Sequence, residues 1–145
     1  MDKDIIERWY KNKENLKRYF ETHVQREYSE YTQVVGALIK YCLNNNVGSG
    51  DEFSELFDVS DYGDYQGTQI FLLHKDTYQP NIGDYYVFDN YYGSCSGCDT
   101  LLGISNYDEG YPSEEQVSEY MNLCLHMVQR MKCLSKLYEL DNMEE

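Results

Sequence analysis

The chain has 145 residues, a length at which proteins usually form one domain around one core. It has no apolar run near the roughly 18 residues that a membrane span needs, and its N-terminus lacks the apolar stretch of a signal peptide. Five cysteines, an odd number spread along the chain, fit a reducing compartment better than a disulfide scaffold. We therefore expect a cytoplasmic protein that does not enter membranes.

The formal net charge of −14 is concentrated in the middle of the chain. Residues 1–40 and 130–145 balance eleven acidic with eleven basic side chains, whereas residues 41–129 carry fifteen acidic side chains and one basic side chain, Lys75. Such a field repels phosphate backbones and anionic lipid and attracts basic protein surfaces. Direct binding to nucleic acid or membranes is therefore disfavoured, although solubility alone would also explain the acidity.

The N-terminal part of the chain, residues 1–43, has a helical pattern. Apolar residues recur with helical spacing from Ile5 to Phe20 and again from Val24 to Cys42. This spacing predicts two helices or one long bent helix. The following run, residues 44–50, is rich in Asn and Gly and is predicted to end the helical part.

An acidic, tyrosine-rich β region is predicted over residues 51–104. Thr68 to His74 and Asp84 to Tyr91 are rich in aromatic and β-branched residues, and residues 79–83 between them have the composition of a turn. These features predict a β-hairpin.

A long helix is predicted over residues 113–139. Ser113 and Gln116 form a capping-box pattern, and apolar residues then follow one helical face as far as Tyr138. Helices at both ends with strands between them predict one α+β domain, residues 1–145, with a small antiparallel sheet in the middle. The alternative is a mainly helical protein that carries a small hairpin.

The turn Gly93–Asp99 contains a C-x-x-C pair, Cys95 and Cys98, that could perform thiol chemistry. Two glycines would allow a sharp turn that brings both thiols together. The acidic neighbours Asp89 and Asp99 are expected to raise a thiol pKa, which disfavours a redox function. The simplest alternative is a structural turn whose cysteines pack as small apolar side chains.

Cys95 and Cys98 also have the spacing of half a zinc site, but a second ligand pair is missing. On a continuous C-terminal helix, Cys124 and Cys133 would lie roughly 13 Å apart on opposite faces, too far to share one ion. The metal ligands therefore stay unknown, with these two thiols as candidates, and zinc is the alternative to a protein without a cofactor. The pattern G-x-C-x-G also matches a nucleophile elbow, but that site needs a larger parallel sheet and a histidine base.

Tyrosines and carboxylates are interleaved in the middle of the chain. Tyrosine offers rigid contact area to a partner, but it is also a common strand residue whose ring can face the core. The candidate partner-binding residues are Asp51, Glu52, Glu55, Asp58, Asp61, Tyr62, Asp64, Tyr65, Tyr91 and Tyr92.

Two segments, Gly63-Asp64-Tyr65-Gln66-Gly67-Thr68 and Tyr91-Tyr92-Gly93-Ser94-Cys95-Ser96-Gly97-Cys98-Asp99, resemble a pattern that recurs in small bacterial and bacteriophage proteins of no assigned activity. The resemblance covers residues 62–102 and supplies no catalytic residues. It implies a phage or mobile-element origin, and hence the cytoplasm of a host cell. Small acidic phage proteins often occupy host or defence proteins, in some cases by mimicking nucleic acid.

The sequence thus favours a non-enzymatic interaction module that inhibits a host or defence protein by covering its basic, nucleic-acid-binding surface. A metal-binding or thiol-redox module that uses Cys95 and Cys98 is the alternative. A small-molecule pocket lined by tyrosines is a third possibility.

Overall fold

The computed structural model describes residues 2–44 and 52–137 and confirms the predicted α+β architecture. Helices precede and follow an antiparallel sheet. The elements in chain order are α1 (Lys3–Thr22), α2 (Tyr31–Leu38), β1 (Asp58–Gly63), β2 (Gly67–His74), β3 (Tyr85–Tyr92), α3 (Thr100–Ser105), α4 (Glu114–Arg130) and β4 (Lys132–Cys133).

The N-terminal region forms two helices, the first of the two predicted alternatives. The side chain of Asp2 caps α1 by accepting a hydrogen bond from the amide of Ile5. A 3-10 turn, Gln25–Tyr28, separates α1 from α2, which begins with a capping box between Glu30 and Gln33 and continues into a π-helical turn at Ile39–Leu43. The predicted break at residues 44–50 lies mostly outside the described residues.

The sheet has the strand order β1-β2-β3-β4, and all of its neighbours are antiparallel. The predicted hairpin is confirmed, because β2 and β3 pair from Gly67 opposite Tyr92 to His74 opposite Tyr85. The sequence did not indicate β1, which pairs with β2 and occupies one edge of the sheet. The short strand β4 pairs with Tyr86 and Val87 at the other edge.

The C-terminal helix ends at Arg130 rather than at residue 139. Met131 is buried and has an extended backbone, and Lys132 and Cys133 pair with β3, so backbone hydrogen bonds to the sheet replace those of the helix. The chain turns helical again over residues 134–137, and residues 138–139 lie outside the described part. Cys133 is therefore not on the same helix as Cys124. The separation of these two thiols that was expected for one continuous helix does not apply, so it no longer argues against a shared metal ion.

One face of the sheet forms part of the core and the other faces solvent. Phe71 and Leu73 of β2 and Tyr86 and Phe88 of β3 are buried, whereas Ile70, which precedes Phe71 and faces the other way, is 36% exposed. The rings of Phe71 and Phe88 stack with centroids 5.0 Å apart. This alternation is typical of an antiparallel sheet that is covered by helices on one side.

A second aromatic cluster ties the helices together. The cluster contains Phe20 of α1, Tyr28 of the 3-10 turn and Tyr120 of α4. The centroids of these three rings are 4.9 to 5.3 Å apart. The hydroxyl of Tyr120 donates to Oε1 of buried Gln25 at 2.7 Å. Four tyrosines of the described residues thus serve the core rather than a surface, namely Tyr28, Tyr31, Tyr86 and Tyr120.

Within residues 2–44 and 52–137, none of the helices combines the length and the apolar character that a membrane crossing requires.

The register of β2 predicts unequal effects of truncating two neighbouring side chains. Phe71→Ala should lower the free energy of unfolding by about 3–5 kcal/mol, because it removes a fully buried ring and leaves a cavity. Ile70→Ala is the matched control on the opposite face and should cost no more than about 1 kcal/mol. Urea unfolding followed by circular dichroism measures both, and equal losses would contradict the assigned faces.

Candidate functional site

The two segments that carry the sequence resemblance meet at one end of the sheet. Gly63 of β1 pairs with Gly67 of β2, and Gly67 pairs in turn with Tyr92 at the end of β3. We call the β1–β2 turn, Gly63–Gly67, together with the neighbouring strand ends the hairpin end. The segment Gly93–Asp99 follows directly, and we call it the Cys turn.

Glycine is required on both sides of the β1–β2 turn. A Cβ atom on Gly63 would lie 2.3 Å from the carbonyl oxygen of Gln66, and one on Gly67 would lie 2.3 Å from that of Tyr62. Either distance is far below van der Waals contact. The two glycines therefore let the strands close tightly and hold Asp64, Tyr65 and Gln66 out in solvent.

Tyrosines cover the solvent-facing side of the hairpin end. Tyr62, Thr68 and Tyr91 lie in register on β1, β2 and β3, and Tyr62 and Tyr91 are 64% and 55% exposed. Tyr65 at the tip of the turn is 85% exposed. Three of the four predicted partner-binding tyrosines are therefore accessible.

The fourth tyrosine, Tyr92, points to the other side of the sheet. It is half-buried, and its hydroxyl donates a hydrogen bond of 2.5 Å to Oδ1 of Asp61. This hydrogen bond raises the pKa of Tyr92 to about 12, because it stabilises the protonated phenol. The predicted set is thus divided, with Tyr62 and Tyr91 on one side of the sheet and Asp61 and Tyr92 on the other.

Of the predicted carboxylates, Asp61 and Asp64 lie at or next to the hairpin end, whereas Asp58 begins β1 opposite Leu72 and Glu52 lies beside Asp76 beyond the far end of β2. Glu52, Glu55, Asp58, Asp61 and Asp64 are all exposed, and Asp51 lies outside the described residues.

Three basic residues that flank or belong to the sheet, Lys75, Arg130 and Lys132, lie away from the β1 side of the hairpin end. Lys75 follows the far end of β2, about 23 Å from Gly67 along an extended strand, and pairs with Asp4 at 3.3 Å. Arg130 and Lys132 are exposed beside the opposite edge strand, β4, where Arg130 donates to the carbonyl of Asp89. The ion pairs of Arg8 and Lys75 are both with Asp4, so neither of them neutralises the carboxylates of the hairpin end.

Asp99 joins the Cys turn to the rest of the fold, a role that the sequence did not reveal. It is 5% exposed, and its carboxylate accepts hydrogen bonds from the amides of Gly93 and Leu102 and from the hydroxyl of Tyr31, at 2.8 to 3.0 Å. The Leu102 contact caps α3. An Asp immediately before a short helical segment is the one sequence signal that could have indicated this cap.

The hydroxyl of Tyr31 completes this network, since it also accepts a hydrogen bond from the amide of Leu101 at 3.2 Å. Burial raises the pKa of Tyr31 far above its ordinary value, and the negative charge of Asp99 acts in the same direction. Tyr31 therefore stays protonated and remains a donor to Asp99 at any physiological pH.

The Cys turn brings its two thiols into contact. Cys95 Sγ and Cys98 Sγ are 3.1 Å apart, both residues are exposed, and the amide of Cys98 donates to the carbonyl of Cys95. The thiol of Cys95, the hydroxyl of Ser94 and the amide of Cys95 all lie against Cys98 Sγ, and together they lower the pKa of the Cys98 thiol. The expectation that acidic neighbours raise the thiol pKa is therefore wrong for Cys98, because the carboxylate of Asp99 turns inward to its own donors.

Within the described part of the chain, Cys95 and Cys98 have no third partner for a metal ion. Among residues 2–44 and 52–137, no group of three or more histidine, cysteine or carboxylate side chains is arranged to hold one. Cys42 and Cys124 are buried elsewhere, and burial raises the pKa of both thiols well above the ordinary value.

A groove of about 310 Å³ runs beside Asp99 between α2 and the sheet. Tyr31, Gln69, Tyr92, Asp99 and Leu102 contribute to its walls. Two of these residues, Tyr31 and Tyr92, are tyrosines, and the exposed Tyr62, Tyr65 and Tyr91 do not contribute to the groove.

Comparisons with protein-family models, with curated proteins and with solved structures found no match for the chain.

The packing of the Cys turn predicts opposite tolerance at its two glycines. Gly93→Ala should lower the free energy of unfolding by about 1–3 kcal/mol, because the added Cβ would lie 2.5 Å from the carbonyl oxygen of Cys98. Gly97→Ala should have little effect, since the nearest atom, Cys95 Sγ, would be 3.9 Å away. Thermal and urea unfolding of both variants test this, and a destabilised Gly97→Ala with a normal Gly93→Ala would refute the geometry.

Proposed function

We propose that the protein is a non-enzymatic interaction module whose hairpin end binds a basic surface of another protein. The observation that carries this proposal is the exposure of Tyr62, Tyr65 and Tyr91 on a part of the fold that also carries the exposed carboxylates of Asp61 and Asp64. Exposed aromatic rings supply contact area, and the surrounding carboxylates supply attraction and orientation.

The rigidity of the hairpin end supports this function. Tyr62 and Tyr91 lie on strands that both pair with β2. The β1–β2 turn is flanked by Gly63 and Gly67, and a side chain at either position would clash with the backbone. Rings that are already fixed in position lose little conformational entropy when a partner covers them.

The charge pattern narrows the class of partner. Exposed carboxylates at Asp58, Asp61 and Asp64 favour a surface rich in arginine and lysine, such as the surface by which a protein binds nucleic acid. The resemblance to small bacterial and phage proteins favours a host or defence protein as that partner. Occupation of its basic surface would inhibit it by excluding nucleic acid.

Charge reversal tests this proposal directly. The variant Asp58→Lys/Asp61→Lys/Asp64→Lys should retain less of the basic, nucleic-acid-binding proteins that the native chain captures from a bacterial lysate at low salt. The expected loss is at least about tenfold, since like charges now face the partner and rim charges control association. Added double-stranded DNA should release the captured proteins from the native chain, because it competes for the same basic surface.

The matched control is Glu7→Lys/Glu14→Lys/Glu21→Lys, which makes the same change in net charge on exposed positions of α1. This control should retain most of the captured protein. Equal losses in the two triple variants would show that net charge rather than the hairpin end is responsible. Capture that is insensitive to 0.5 M salt would also contradict the proposal, because attraction between exposed charges is screened at about that ionic strength.

A further inference from the structure

The Cys turn has the geometry of a thiol pair that can be oxidised without moving the fold. Its sulfurs are 3.1 Å apart, and the hydrogen bond from the amide of Cys98 to the carbonyl of Cys95 closes the four-residue turn between them. A turn of this kind keeps its end Cα atoms within about 7 Å, which includes the range that a disulfide spans.

We propose that Cys95 and Cys98 form a reversible dithiol–disulfide couple that exchanges with disulfides of neutral or positively charged small thiols. This activity is independent of the binding function of the hairpin end. The other described cysteines do not share it, because Cys42, Cys124 and Cys133 are buried.

The surroundings of the two sulfurs assign them different roles. Cys98 Sγ receives the contacts from Ser94 Oγ at 3.7 Å, the amide of Cys95 at 3.3 Å and Cys95 Sγ. Hydrogen bonds of this kind favour the thiolate, so the pKa of Cys98 is lowered, and Cys98 is the attacking residue. Cys95 is then the resolving residue.

The exchange balances with a small-molecule disulfide as the oxidant. The Cys98 thiolate, having lost its proton to solvent, attacks one sulfur of the oxidant, and the other sulfur leaves as a thiolate that takes up a proton. Cys95 then loses its proton and attacks Cys98 Sγ, which releases the second thiol. Two protein thiols are oxidised to one disulfide, and one external disulfide is reduced to two thiols.

Charged groups around the Cys turn determine which disulfide reacts fastest. Asp61 and Asp64, at the hairpin end, lie close enough to Tyr92 for their negative charge to raise its pKa. Glu119 and His126 lie on the part of α4 that faces α3. The carboxylate of Asp99 points inward. The described residues place no lysine or arginine side chain in hydrogen-bonding or ion-pair contact with either sulfur. A negatively charged disulfide is therefore repelled and a positively charged one attracted.

The experiment measures oxidation of the full-length protein by cystamine, 2-hydroxyethyl disulfide and oxidised glutathione, which are cationic, neutral and anionic. Acid quenching, alkylation and peptide mass spectrometry locate the products. We expect a Cys95–Cys98 disulfide with all three, with rates in the order cystamine, 2-hydroxyethyl disulfide, glutathione, and a smaller spread in 0.5 M salt. A synthetic peptide of residues 92–100 should be oxidised more slowly by the neutral disulfide, since its thiols are not held together.

Two single substitutions separate the roles of the sulfurs. Cys95→Ser should accumulate a mixed disulfide at Cys98, and it should do so roughly threefold or more faster than Cys98→Ser accumulates one at Cys95 near neutral pH. Far-ultraviolet circular dichroism and the melting temperature should match those of the native chain, because both side chains are exposed.

Several results would overturn the proposal. One is that the protein forms no Cys95–Cys98 disulfide under conditions that oxidise the peptide, and another is that the mixed disulfide forms faster at Cys95 than at Cys98. The proposal would also be overturned if oxidised glutathione were the fastest oxidant at low salt. A tightly bound zinc ion in native mass spectra that protects both thiols would overturn it as well.

Discussion

The buried carboxylate of Asp99 is the contact on which the arrangement of the candidate site depends. Its hydrogen bonds reach the end of β3 through Gly93, the start of α3 through Leu102, and α2 through Tyr31, which is 68 residues away in sequence. A buried carboxylate is tolerated only where donors surround it, and removal of one donor leaves an uncompensated charge. Asp99 thus fixes where the chain leaves the sheet, and with it the positions of Tyr92 and of both thiols.

The hairpin end combines features that have both a structural and a functional explanation. Exposed carboxylates on β1 discourage pairing of this edge strand with another chain, which is a common protection of sheet edges. That protection does not account for the three exposed tyrosine rings, which increase the apolar area in contact with water. A basic partner that covers Tyr62, Tyr65 and Tyr91 would make use of both the rings and the charge.

Sequence patterns predicted those parts of the fold in which local preference and tertiary packing agree. The β2–β3 hairpin has apolar alternation and turn residues, and the start of α4 has its capping box. Sequence patterns do not indicate strand β1, because four of its six residues are Asp, Ser or Gly, which are poor strand formers. Its conformation is instead determined by pairing with β2. Helix α4 was predicted too long because Met131 continues the helical spacing, although pairing with β3 overrides it. Spacing likewise could not show that the carboxylate of Asp99 points away from Cys98.

Hydrogen–deuterium exchange of the complex with a captured basic protein tests the central claim, that a partner covers the hairpin end. The account predicts slower exchange on binding for residues 58–68 and 89–92, with no change for the amides of α1. Slower exchange confined to α1 or α4, with residues 58–68 unchanged, would contradict it.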